Sequence, residues 1–400
     1  MRKAIFNSVG SNYTLRSARR ALFARNNDIK YDQLVELLAS RYGGETHLFY
    51  KGREAIQAAL VVADLPKNTK VLITGYTCYA VYKAVIDADC IPVFVNIATS
   101  ELNFSAETLQ KALTKNPDAT VVIIQNTLGY PTEIKGVQAI AKKNGLLLIE
   151  DLAHCIGMQY SDGDEAGTIG DFVTLSFSQD KVIDGVSGGA LVVRNKAFKN
   201  RAQHMIAYSK LPRMQQLRDR IYPLLTVKIR TLYPYGLGKP LHALCKKLHL
   251  LAKPVDGIFG VYRELAPWYA GLAYDQYTNL EQIAEHRALI GKVYSKVIPK
   301  NYQVSSSHGN AIFLRFPLLI ENRETLFTYL KKSNIFITDI WYETPIAPAR
   351  YLSKTIYKDG ICPAADKVAK QMVNLPTHIN VSEADAMMIA GKVLEWLSQA

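Results

Sequence analysis

The stretch whose reading decides the fold is LLLIEDLAHCIG (residues 146–157), followed by GDFVTLSFSQDK (170–181) and GVSGGALVV (185–193). An apolar strand ends on the carboxylate of Asp151, and a second apolar run leads, about 30 residues later, to Lys181. The pair Gly188-Gly189 then opens another strand. A carboxylate at the end of a buried strand and a lysine on a nearby loop suit a site that grips a pyridine ring. The carboxylate would keep the ring nitrogen protonated, and the lysine would form a Schiff base.

Working outward, strands and helices alternate from about residue 45 to 195, the pattern of a mostly parallel sheet with helices on both faces. KVLITGYTCYAVYK (70–83) places Tyr76, Cys78 and Tyr79 just past a strand, where α/β proteins hold ligands. The next strand, TVVIIQNT (120–127), ends at Gln125, Asn126 and Thr127. Lys51-Gly52-Arg53 follows the aromatic strand end Phe49-Tyr50 and opens a helix. A glycine at a helix start between two cations can cradle a phosphate, because free amides and the helix dipole point outward there. Taken alone, such a turn is more often a plain solvated helix start.

Four hundred residues, 48% apolar and 21% charged, describe an ordinary globular chain. No apolar run reaches the roughly 18 residues of a membrane span. The first 20 residues lack the apolar core of a secretory signal, and the turn-like SVGSN argues against a transit peptide. The five cysteines are scattered and in no metal-ligand spacing, so they read as reduced thiols in a cytoplasmic protein. The net charge of +13 is uneven: Lys210 to Lys253 holds ten Lys/Arg and a single acid, Asp219. This basic insertion, about 205–255, mixes Leu, Ile and Tyr with cations and is broken by Pro223, Pro234 and Pro240. It fits helices lying on an anionic membrane through 210–253, a subunit interface, or an insertion packed on the body. The rest divides into an arm crossing a neighbouring surface (1–30), a large cofactor-binding domain (31–268), a linking helix (269–300) and a small α+β domain (301–400).

Together the motifs resemble the DegT/DnrJ/EryC1/StrS sugar aminotransferases, pyridoxal-phosphate enzymes of the aspartate aminotransferase-like fold type I. Glu150-Asp151-Leu152-Ala153-His154 with Gly157 is similar to the family's EDxA[HQ]xxG. Gly170-Asp171 and Ser176 to Lys181 are similar to its GD…SFxxxK, and Ile91 to Asn96 to its PVFVD strand. The resemblance implies that Lys181 carries pyridoxal 5'-phosphate and moves a proton, and that Asp151 pairs with the ring nitrogen. It implies that His154 lies beside the phenolic oxygen, and that Ser176 with the amides of Gly52 and Arg53 holds the phosphate. It also implies a homodimer acting on an amino donor, glutamate, and a nucleotide-linked keto sugar that feeds amino-sugar or surface-polysaccharide synthesis. Alternatives left open are another reaction of the same cofactor on a lipid-linked sugar, with the chain peripheral to the inner membrane face, and a non-catalytic relative. Nucleic acid is the less expected partner of such a relative.

The chain departs from the family pattern at four places. Lys51-Gly52-Arg53 stands for SGT, which would bring a charged contact through Arg53. Cys78 stands where the family has its ring-stacking aromatic, leaving Tyr76 or Tyr79 to stack. Asn126 stands for a strand-end histidine, and the GYNYRM segment is not recognisable in residues 260–265. Retention of Lys181 excludes the family's dehydratase branch, which has a histidine there.

Overall fold

Apolar runs such as VVII and LLI leave no polar face for solvent, so their strands must be covered on both sides. The computed structural model, which describes residues 3–251, 255–305 and 308–399, places them at the centre of a seven-stranded sheet. In chain order the strands are β1 (Glu45–Phe49), β2 (Lys70–Thr74), β3 (Ile91–Val95), β4 (Ala119–Gln125), β5 (Leu147–Asp151), β6 (Phe172–Ser176) and β7 (Gly189–Val193). Their spatial order is β1-β7-β6-β5-β4-β2-β3. All neighbours from β6 to β3 are parallel, while β7 runs antiparallel to both β6 and β1. Successive residues alternate between two cores: Val71, Ile73, Val121 and Ile123 fill one face, Leu72, Val122 and Leu148 the other. Register then sets Gln125 beside Asp151 and Asp151 beside Thr174 at the carboxyl ends of β4, β5 and β6. That edge is where open α/β sheets bind ligands.

The C-terminal unit is built on an antiparallel pair, Phe316–Leu319 with Met372–Leu375. Helices Leu280–Val297, Arg323–Lys331 and Glu383–Leu397 cover it around a core that includes Ile290, Tyr294, Leu326, Leu330, Ile389 and Val393. The N-terminal arm lies on the C-terminal unit of its own chain. Ile5–Phe6 pairs in parallel with Ile335–Phe336 of the same chain, and Leu15–Leu22 forms a helix.

Two elements differ from the sequence expectation. The single helix expected from Tyr269 to Val297 is two, Pro267–Tyr277 and Leu280–Val297. Asn279 makes the break, because its side-chain amide donates to the Asp275 carbonyl (2.7 Å) and ends the first helix. The basic insertion is not broken at Pro223. One helix, Arg213–Leu232, runs through that proline, followed by a short turn and the helix Gly238–Lys247.

The long helix is docked on the body by its buried side, Asp219, Tyr222, Thr226 and Ile229. Asp219, the single acid of the stretch, accepts hydrogen bonds from Tyr50 Oη (2.6 Å), Tyr269 Oη (2.7 Å) and Gln215 Nε2 (2.9 Å). Two of its cations also turn inward. Arg220 donates to the Ala24 carbonyl and lies 4.3 Å above the Trp268 ring, and Arg230 donates to the Tyr13 carbonyl. Of the readings left open for this segment, packing on the body is what the described residues show; residues 252–254 of the stretch lie outside them. Asp219→Ala strands two buried phenol donors, so unfolding free energy should fall by about 2–4 kcal/mol. Chemical denaturation of the purified variant against wild type reads this directly.

Candidate active site

Lys181 lies in the loop after β6, where Asp180 holds the left-handed conformation at φ 62°. Such backbone persists in a non-glycine residue only where its surroundings pin it. The pins come from the N-terminal arm. Ser11 donates to Asp180 Oδ1 through its amide (3.1 Å) and hydroxyl (3.0 Å), and Asn12 Nδ2 donates to the Lys181 carbonyl (2.9 Å). The lysine ammonium sits 4.6 Å above the Trp341 ring. Burial pushes its pKa down to about 8, a fall that the negative charge of Asp151 partly opposes. At pH 7 about a tenth of it is free amine, against roughly one part in three thousand for a lysine at 10.5. Acylation of Lys181 in the apoprotein by a limiting reagent should therefore rise about tenfold per pH unit up to about 8 and level off above it. Peptide mass spectrometry across pH 6–10 reads the profile; a rise continuing past pH 10 would contradict it.

Asp151 is buried at the end of β5. One of its oxygens, Oδ1, accepts the Ala153 amide (3.0 Å) and the Thr174 hydroxyl (3.5 Å). Burial raises its pKa, while those two donors and the Lys181 charge favour the ionised form. Its neighbour Glu150 has a different task. Its carboxylate accepts the amides of Gly167 (2.8 Å), Ile169 (2.8 Å) and Gly170 (2.6 Å), tying down the loop that enters β6.

His154 is buried, and its Nδ1 accepts the amide of Leu128 (3.1 Å), a residue held at φ 56°. Accepting at Nδ1 puts the proton of the neutral ring on Nε2, which faces Tyr342 Oη at 3.2 Å. Burial, then the charges of Lys181 and Arg315, hold its pKa well below the usual range, so the ring is neutral. Trp341 stacks on the imidazole (centroids 5.5 Å, 22°) and carries the Arg315 guanidinium on its ring at 4.2 Å. Arg315, itself buried, is fixed by Asp339 through the carbonyl (2.6 Å) and Oδ2 (2.9 Å).

At the other end of the site the helix Gly52–Val62 starts against Ser176 and the Gly188-Gly189 pair. A Cβ on Gly52 would lie 2.7 Å from Ser176 Cβ, and one on Gly189 would lie 2.5 Å from Gly52 Cα. Glycine at both positions is thus what lets β6, β7 and the helix start meet. No side chain caps the helix. An uncapped helix start is a common place for an anion, as in many phosphate sites.

Several residues singled out from sequence are placed otherwise. The Arg53 guanidinium bonds to the carbonyls of Val255 (3.2 Å), Asp256 (3.3 Å) and Ile258 (3.1 Å) and stacks on Phe259 at 4.0 Å. It clamps that loop, and the side chain is engaged there instead of reaching the helix start. Tyr76 donates its hydroxyl to the Tyr342 carbonyl (2.9 Å) and accepts the Tyr342 amide (3.1 Å). Tyr79 stacks on Tyr351 (4.5 Å, 11°). Asn126 uses both ends of its amide, on Tyr160 Oη (3.0 Å) and the Thr132 amide (2.8 Å). Cys78 caps the following helix through Sγ and lies close enough to Lys181 and Asp151 to feel both charges. The aromatic over the lysine is Trp341, from the C-terminal unit. Sequence reasoning missed Arg315, Trp341 and Tyr342 as site residues. The available signal was an arginine inside the apolar run AIFLRFPLLI and an aromatic pair at a strand end.

These residues fit pyridoxal phosphate: a buried carboxylate, a lysine of depressed pKa, and an uncapped helix start beside a hydroxyl. A family model described as the DegT/DnrJ/EryC1/StrS aminotransferase family matches residues 36–394. A pleiotropic regulatory protein of Geobacillus stearothermophilus is 23% identical over 351 residues, covering 86% of this chain and 83% of that one. GDP-perosamine synthase of Escherichia coli O157:H7 is 25% identical over 370 residues, covering 91% and 90%. The crystal structure of DesV from S. venezuelae superposes with a TM-score of 0.77 at 17% identity, covering 99% of each chain.

Proposed function

The chain belongs to the DegT/DnrJ/EryC1/StrS aminotransferase family, and on that premise we propose that it moves an amino group from glutamate to the keto carbon of a nucleotide-linked sugar. It is a pyridoxal-phosphate-dependent aminotransferase of the sugar aminotransferase family. The observation that carries the finer reading is the meeting of Lys181, Asp151 and His154 at one sheet edge under a tryptophan and a buried arginine.

Bound there, the cofactor supplies an electron sink for breaking a C–H bond next to nitrogen. Lys181 Nζ would hold it covalently and, once released, take and return the substrate proton; a pKa of about 8 suits that exchange. Asp151 would keep the ring nitrogen protonated. Neutral His154, oriented by the Leu128 amide, presents Nε2–H to Tyr342, and Trp341 screens the lysine from water. Ser176 and the amides of Gly52 and Arg53 would hold the phosphate. Arg315, although paired with Asp339, keeps further N–H donors and would be a cation for a donor's carboxylate. GDP-perosamine synthase, similar along nearly the whole chain, supports a nucleotide-linked acceptor; amino-sugar or surface-polysaccharide synthesis is the role proposed with it.

The deciding experiment mixes holoenzyme with amino acids and a panel of nucleotide-linked keto sugars. Glutamate-dependent appearance of an amino sugar by mass spectrometry, with 2-oxoglutarate released, is the expected result. Loss of visible cofactor absorbance with no donor tried would sink the reading. The same preparation should run as a dimer in light scattering.

A second reading concerns location. On the helix Gly238–Lys247 and its flanks Leu237, Leu244 and Leu248 stand exposed at heptad-like spacing, beside the exposed Lys239, Lys246 and Lys247. Apolar side chains in a basic surround favour an anionic bilayer as the surface met there. No helix among the described residues is long and apolar enough to cross a membrane, so this contact would be peripheral. Flotation with anionic but not neutral vesicles tests it.

A further inference from the structure

Lys51, immediately before the helix Gly52–Val62, is 7% exposed and carries its ammonium 4.5 Å above the Tyr50 ring. Among the described residues it has neither an ion pair nor a hydrogen-bond acceptor. A buried ammonium without a partner is costly, and native proteins retain one where something else completes it. The nearby acid that attracts it, Asp219, has both oxygens committed: Oδ2 to Tyr50 and Tyr269, Oδ1 to Gln215. Of the other charges near it, Glu54 attracts the ammonium, while Arg53 and Arg218 repel it.

What Lys51 adjoins is an uncapped helix start. Its backbone bridges to Gly188, and the next residue, Gly52, is pressed against Ser176. Helix start and unpaired cation, adjacent in sequence, thus meet a hydroxyl from a segment more than a hundred residues away. Burial pushes the Lys51 pKa down to about 8, which still leaves it charged at neutral pH.

We propose that Lys51 is the cation that meets the phosphate of the bound cofactor, completing a site otherwise made of amides and one hydroxyl. This rests on the cofactor reading above and adds a residue to it. The role expected for the Arg53 side chain thereby passes to its neighbour, while Arg53 holds the 255–258 loop.

The test is titration of apoprotein with pyridoxal phosphate and, separately, with pyridoxal, which lacks the phosphate. In Lys51→Met the affinity for pyridoxal phosphate should fall about 10- to 100-fold, the effect of one charge-assisted hydrogen bond. Affinity for pyridoxal should stay at the wild-type value, which also shows that the variant is folded. Lys51→Arg should recover most of the loss, and inorganic phosphate should compete with pyridoxal phosphate in wild type far better than in Lys51→Met. Parallel weakening of both ligands would mean that Lys51 only packs on Tyr50 and would overturn the proposal. So would an unchanged affinity for pyridoxal phosphate. A wild-type protein that binds neither ligand would overturn the cofactor reading itself, an outcome distinguishable from the other two.

Discussion

Lys181→Ala protein, purified with excess pyridoxal phosphate, is expected to lack the visible absorbance of lysine-bound cofactor and to lose at least about 10³-fold in amino transfer. The reasoning is local. Lys181 is the lysine whose ammonium stands over Trp341 within reach of the charge of Asp151. Lys51, the more deeply buried of the two, lies at the helix start and over a different ring. An exogenous primary amine should restore a fraction of the activity, because the site keeps its carboxylate and helix start. Full retention of colour and rate would show that another amine does the work.

Asp151→Asn should leave the fold standing and cost on the order of 10²–10³ in kcat. The amide can replace the carboxylate as an acceptor for Ala153 and Thr174, so little stability is at stake. What it cannot do is stabilise a proton on the ring nitrogen, and without that proton the electron sink weakens. Stopped-flow measurement of the proton-abstraction step separates this from cofactor loss. If kcat is unchanged while cofactor affinity falls, Asp151 is a binding residue and not an electronic one.

The parts of this site legible in the sequence share one property: each is set by local pattern. The strand LLLIED ends where its apolar run ends, so Asp151 at the sheet edge follows from periodicity. Gly188-Gly189 marks a close approach, and the structure shows what approaches. The parts not legible are those fixed by tertiary contact. Arg53 was read as a phosphate contact because it follows a helix-start glycine. Which carbonyls would face its guanidinium depends on a loop two hundred residues away. Tyr76 and Tyr79 were chosen for position after a strand, but a buried hydroxyl goes to whatever backbone lies opposite, here Tyr342. Trp341 and Arg315 reach Lys181 from the C-terminal unit, across a gap that no window of sequence spans. For the basic insertion, sequence left packing on the body, an interface and a bilayer all open, and the contacts of Asp219 with Tyr50 and Tyr269 show which side packs.

The arm that pins the lysine loop has a consequence for how the enzyme comes into being. Residues 5–13 are made before the residues they pin, 180–184, and well before their strand partners, Ile335–Phe336. During synthesis the large sheet can close with its reactive lysine on an unpinned loop. The arm can settle only when most of the chain exists. Competence to hold the lysine loop in place would then mature only after the C-terminal unit is made.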